Sequence, residues 1–223
     1  MSAVDQILQK YQAAYQKSVS HPLTNELCAG TLSDRRLFTY LVQDLKFFQV
    51  GMNLFGKALA YCDDAKSAIV LAKQIGFVAN DENDYFTISL KELRESGNLE
   101  DTDMLADSPA TLPAVQKYID LMKYLAFEST SYVELITFVY VMEQVYLGWA
   151  EYNIERGIAE NLTYKHQEWI NLHSGEAFEK WTQFLKDEVN RSVKTEEDLT
   201  LCDGIFIEAI EREIEFFDAC YDY

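Results

Sequence analysis

The stretch FVYVMEQVYLGWA, Phe138 to Ala150, decides how the rest of the chain is read. Its apolar residues fill every side of a 3.6-residue period, so it predicts a helix buried all round rather than one lying on a surface. A carboxylate, Glu143, stands in its middle. Burying an unpaired carboxylate costs several kcal/mol, so Glu143 is either satisfied by a neighbour or present for a purpose.

Working outward, long stretches carry apolar residues three and four apart, and only three prolines and nine glycines interrupt them. The pattern predicts an all-α, single-domain helical bundle over residues 1–223. A first helix is expected over about residues 3–19, stopping at His21-Pro22, because a residue before proline is pushed out of the helical region. Another starts after Ser33, an N-cap residue, and runs through LFTYLVQDLKFFQVGMNLFGKALAYC with bends at Gly51 or Gly56. Further helices are expected over about 65–94, broken near Gly76 or Asn80, then 114–127, 130–159, and 163–192 with an interruption at His173-Ser174-Gly175. A last one spans about 204–221. The acidic segment Ser96 to Leu112 reads as a surface loop within the domain.

Thirty-seven Asp and Glu against nineteen Lys and Arg give a formal charge of −18. Such a chain repels phosphate backbones and anionic membrane surfaces, which argues against a nucleic-acid or membrane partner. No apolar run reaches the roughly 18–20 residues that span a bilayer. Cys28, Cys62, Cys202 and Cys220 lack zinc or CxxC spacing and read as free thiols, and the N-terminal segment lacks a signal-peptide core; together these lead to a cytoplasmic location.

Placing the helices on wheels at 100° per residue singles out three acids. Glu143 shares its face with Ile136, Val139, Tyr140, Tyr146, Leu147 and Ala150. Asp44 sits among Leu37, Tyr40, Leu41, Phe47, Phe48 and Gly51. Glu213 sits among Phe206, Ala209, Ile210, Phe216, Phe217 and Cys220, opposite a solvated face of Glu208, Glu211, Glu215, Asp218 and Asp222. Taken singly, each could be a structural acid bonded to backbone or to a tyrosine. Taken together, they predict a shared polar pocket with aromatic walls, in which desolvation and like-charge proximity raise carboxylate pKa values. Such a site suits a small planar ligand that brings N–H donors. A di-metal carboxylate site needs Glu-x-x-His pairs; the three histidines are preceded at that spacing by Ser18, Thr163 and Ile170, so neither a metal nor another cofactor is expected. The chain also has no GxSxG, P-loop or GxGxxG pattern.

With these residues in view, the chain resembles the TenA (thiaminase II) family, whose members have a heme-oxygenase-like fold. The resemblance is carried by His21-Pro22 with Gly30-Thr31-Leu32, by FTYLVQDLKFF containing Asp44, and by NDENDYF, where Glu82 is a lining residue. It continues through Ser108-Pro109-Ala110-Thr111, HQEWINLHSGEAF, and IEREIEFFDA with Glu213 as an active-site acid. The common branch of that family uses a cysteine nucleophile where this chain has Met142. The neighbouring Glu143 is similar to the glutamate of a cysteine-less branch found in plants and fungi. Phe47 and His173 stand where tyrosines are usual in the cysteine branch, and Ala114 where an aromatic often follows the S/T-P-A turn.

The resemblance implies a hydrolase of thiamin salvage acting on N-formyl or free 4-amino-5-aminomethyl-2-methylpyrimidine, and a homo-oligomer, dimer or tetramer. In that reading Glu143 and Glu213 are catalytic, in either order as acid and base. Asp44, Phe47, Tyr140, Tyr146, Glu82 and His173 bind or orient the pyrimidine. The other reading is a non-catalytic aminopyrimidine-binding or structural protein that keeps the fold.

Overall fold

The computed structural model describes residues 2–99 and 109–223. Among the described residues the regular structure is helical throughout, and one hydrophobic core joins the helices. Helix α1 (Ala3–Lys10) and α2 (Gln12–Val19) are followed by α3 (Pro22–Cys28), α4 (Asp34–Tyr61) and α5 (Ala65–Phe77). A π turn, Val78–Glu82, leads into α6 (Asn83–Glu95). Next come α7 (Pro113–Lys123), a second π turn at Tyr124–Glu128, α8 (Tyr132–Ile154), α9 (Tyr164–Leu172), α10 (Gly175–Ser192) and α11 (Glu196–Asp222).

Helix α8 is the hub. Every residue from Leu135 to Ala150 is buried except Gln144, which is partly exposed. It packs against α10 and α11 along its length and against α2, α3 and α4. Gly148 makes the approach to α2 possible, since a Cβ there would lie 2.3 Å from the Tyr15 hydroxyl oxygen and 2.6 Å from Val19 Cγ1. Each fully buried aromatic or aliphatic side chain stabilises the fold by about 1.5–3 kcal/mol. Trp149, Phe138 and Tyr140 supply part of this from α8, against Phe206, Phe216 and Phe217 of α11.

The ends of the helices follow local chemistry. Ser33 caps α4 by accepting the Arg36 N–H, as its position predicts. Three elements differ from the sequence expectation. Tyr11 breaks the first helix into α1 and α2. At His21-Pro22 the chain ends one helix and starts another: Pro22 occupies the first turn of α3, and His21 Nδ1 accepts the Leu23 N–H at 3.1 Å. Helix α11 begins eight residues before the expected start at residue 204, because Thr195 and Asp198 form a capping box and Gly204 is carried inside the helix. Of the acidic stretch expected as a loop, residues 100–108 lie outside the described residues.

Residues 109–112 are clamped to α4. Gln43 donates to the Ala110 carbonyl at 2.8 Å and accepts the Leu112 N–H at 3.1 Å, while Lys46 donates to the Pro109 carbonyl and to Thr111 Oγ1. The same turn of α4 turns Asp44 and Phe47 inward. No helix among the described residues is long and apolar enough to cross a membrane, and the four cysteines are free thiols.

Candidate active site

Helices α4, α8 and α9 and the π turn at 78–82 border a partly open pocket. Asp44, Glu82, Glu143, Tyr146 and His173 provide its polar lining, and Phe47, Phe48, Phe55, Phe86, Met142 and Trp169 most of its apolar wall. Among the described residues no Lys or Arg lines it. Met142 thus faces the cavity next to Glu143, and none of the four cysteines does.

Asp44 is 4% exposed and accepts one hydrogen bond, from the Tyr146 hydroxyl to Oδ1 at 3.1 Å. That hydroxyl accepts in turn from Tyr40 at 3.2 Å, and Tyr40 accepts from the Trp169 indole N–H at 3.1 Å. The chain of donors fixes Tyr146 with its proton towards Asp44. Trp169 is itself held by Tyr85, whose ring stacks on it with centroids 4.7 Å apart. Burial pushes the Asp44 carboxyl up to about 7, with the Tyr146 bond working the other way.

Glu143 is 6% exposed, and no described residue makes a hydrogen bond of good geometry to its carboxylate. The Trp181 indole N–H, which has no partner of its own, lies near enough to favour the charged form without reaching it. Burial nevertheless pushes Glu143 up to about 7. Glu82 is held well above the ordinary glutamate range, first by desolvation, then by the charges of Glu143, Asp44 and Asp81. It lies four residues after buried Val78, on the same face of the wall, in a π turn of the kind that recurs at functional sites.

His173 donates from Nδ1 to the Trp169 carbonyl at 2.8 Å. A carbonyl can only accept, so the neutral ring keeps Nε2 as an acceptor. Burial holds its pKa down to about 4, so it stays neutral at pH 7. Its ring centroid lies 4.8 Å from that of Tyr146.

Two residues expected at the site are placed elsewhere. Tyr140 does not line the cavity; its hydroxyl donates to Gln144 at 3.3 Å and its ring faces Phe206. On α8 it lies about 60° to one side of Glu143, whereas Tyr146 and Met142 lie to the other, and the cavity opens on that other side. Glu213 is completely buried behind the wall rather than in it. Its Oε1 accepts from Tyr118 at 2.7 Å, its Oε2 has no partner, and the Tyr118 ring packs on Phe47 with centroids 4.7 Å apart. Desolvation raises Glu213 to about 8, aided by the charges of Asp44 and Glu143, so the three acids do converge electrostatically. The wheel had no means of ranking them by depth.

Sequence reasoning missed Tyr40 and Trp169 as members of the hydrogen-bond chain and Gln43 as the clamp on residues 110–112. Each carries a polar atom on an otherwise buried face, which is the signal that marks them.

The arrangement is an aromatic-walled slot whose polar groups are mostly carboxyls, with a neutral imidazole acceptor beside them. A ligand that fits it must bring the donors and gains from bringing positive charge.

A sequence profile of the TENA/THI-4/PQQC family matches residues 8–223. Among solved structures, a TenA homologue from Pyrococcus horikoshii OT3 superimposes with a TM-score of 0.79 at 19% identity, covering 100% of this chain and 99% of that one. A Sulfolobus solfataricus P2 protein provisionally named a TenA-like thiaminase gives 0.74 at 16% identity, covering 99% and 96%. A domain of unknown function from Shewanella denitrificans OS217 with a heme oxygenase-like fold gives 0.71 at 15% identity, covering 98% and 92%. The fold of this chain is therefore heme oxygenase-like. No curated protein matches the sequence.

Proposed function

The chain belongs to the TENA/THI-4/PQQC family, and from that premise and the acceptor-lined cavity we propose that it is a hydrolase of thiamin salvage. Its substrates are 4-amino-5-aminomethyl-2-methylpyrimidine and the N-formyl derivative, and its product is the hydroxymethylpyrimidine. The observation that carries the reading is Glu143: a buried carboxylate with only the Trp181 indole beside it, facing an aromatic slot beside Met142. A carboxyl raised to about 7 is poised to take a proton near neutral pH.

The pyrimidine ring lies between Phe47 and the aromatic wall containing Trp169. Its amino group donates to Asp44, whose second oxygen accepts from no described residue. Tyr146 fixes the direction of that carboxylate. Glu143 accepts a proton from water, the water oxygen bonds to the methylene carbon, and the C–N bond breaks with its electron pair leaving on nitrogen. With the aminomethyl group as its ammonium, the nitrogen departs as ammonia and takes up the proton held by Glu143, so the singly protonated amine and water give the alcohol and ammonium. With the formylated compound, the same water attacks the formyl carbon, the amide C–N bond breaks, and formate and the free aminomethylpyrimidine are formed; that amine then undergoes the first reaction to give the alcohol. Glu213 steadies the ring indirectly, by holding Tyr118 against Phe47. We take the working form to be a homo-oligomer, dimer or tetramer; exposed Ile69 and Phe127 are apolar surface that such an assembly would cover.

Incubation of the purified protein with each pyrimidine, followed by chromatography for the hydroxymethyl product, tests the reading. Product forms with the native protein and falls by about a hundredfold or more with Glu143→Gln, as for loss of an essential base. Binding of both compounds without product would instead support the non-catalytic alternative.

A further inference from the structure

Glu82 has no task in the hydrolytic step described above, yet it is built into the cavity. It closes the π turn that forms one wall, and among the described residues no hydrogen bond or ion pair reaches it. Glu143 has only the Trp181 indole beside it, and Asp44 uses one oxygen for Tyr146. The lysines and arginines that pair with carboxylates do so elsewhere, as in Lys165 with Asp34 and Arg191 with Glu188. Facing carboxyls repel when charged and no described cation lining the slot offsets them, so in the empty slot they hold protons more tightly than free carboxyls do.

We propose that the cavity takes its substrate as a cation, with the aminomethyl group bound as an ammonium between Glu143 and Glu82, and with Glu82 as its dedicated counter-ion. This inference rests on the hydrolase reading and selects between its two substrates. An ammonium has three donors and no acceptor, which matches a site of carboxylates and a neutral imidazole acceptor. The N-formyl group carries no charge, so it gains nothing from a facing pair of carboxylates. The aromatic wall adds a favourable cation–π contribution for the charged form. The product alcohol is neutral, so its hold on Glu82 is weaker and release is favoured.

Calorimetric binding of the free amine and the N-formyl compound to the full-length protein tests this independently of turnover. The amine is expected to bind about ten- to a hundredfold more tightly, the range of one buried charge-assisted hydrogen-bond pair. Glu82→Gln should remove most of that ratio while changing affinity for the formyl compound less than about twofold, and Glu82→Asp should retain the preference. Equal affinities for the two compounds in the native protein would overturn the inference, as would a Glu82→Gln variant that weakens both alike. Should Glu82→Gln not fold, the native ratio and Glu82→Asp still decide the matter. Glu82-dependent amine binding without product would leave the inference standing and remove the hydrolase reading; turnover with no charge preference would do the reverse.

Discussion

The Tyr146 hydroxyl donates to Asp44 Oδ1 at 3.1 Å and is itself held from behind by Tyr40. Asp44 can therefore present one oxygen to a ligand in a fixed direction. Tyr146→Phe removes the bond that favours the charged carboxylate, so the apparent pKa of Asp44 rises above its value of about 7. Affinity for the pyrimidine at pH 7 should fall by about tenfold, as expected for loss of one charge-assisted hydrogen bond to a ligand-binding group, and recover as pH is raised towards 8.5. Titration of binding against pH checks both parts.

Stability should fall as pH rises from 5 to 8. Asp44 and Glu143 have folded-state values of about 7 and Glu213 of about 8, against unfolded values of 3.8 to 4.5. Between those limits the folded state binds more protons, so its advantage is complete below about pH 4 and is lost as pH passes through 7 to 8. His173, depressed from 6.5 to about 4, and His166, also lowered by burial, work in the opposite direction, while Glu82, raised by burial, works with the three acids. Urea unfolding should show a loss of about 3–6 kcal/mol between pH 5 and pH 8. Glu213→Gln should recover about 1–3 kcal/mol of it at pH 8 and nothing at pH 4, since the amide keeps the Tyr118 contact without the charge.

Placing a thiol at Met142 should not create a fast nucleophile. The new group would face the cavity beside Glu143, where burial and negative neighbours raise a thiol pKa. Met142→Cys is expected to react with iodoacetamide slowly at pH 7. Adding Glu143→Gln should speed labelling by about tenfold, the effect of about one unit in thiol pKa. Mass spectrometry of the labelled peptide separates this site from native thiols such as Cys28, whose pKa burial raises to about 12.

Gly148→Ala should destabilise the protein by about 1–3 kcal/mol, because the added methyl overlaps Tyr15 and Val19 and forces α2 away from α8. Thermal unfolding measures this. Pocket binding should change little, since neither Tyr15 nor Val19 lines the cavity.

These cases show how far residues alone reveal the fold and the site. Helix α8 was legible because its apolar residues occupy every face, and Ser33 because a cap is a local chemical event. Helix α3 was not, since Pro22 stops one helix and starts the next with the same ring. Asp44 and Glu143 were found because a charge within an apolar stripe stands out, whereas Glu82, in a run of acids, was reached only through the family resemblance. The distinction between Tyr146 in the cavity and Tyr140 outside it was hidden, because α8 is buried on both sides of Glu143 and a wheel gives angle without saying which neighbour is missing. Glu213 behind Phe47 was hidden for the related reason that depth is a property of the assembled core.

The π turn at Val78–Glu82 has a bearing on descent as well as on binding. A π turn holds one residue more than the α-turn it replaces, and here it runs directly from α5 into α6. The wall between α5 and α6 is accordingly a place where the chain can gain or lose a single residue without turning Leu71 or Tyr85 away from the core. Lineages could in this way retune the charge of the cavity by length alone, leaving Asp44 and Glu143 as they are.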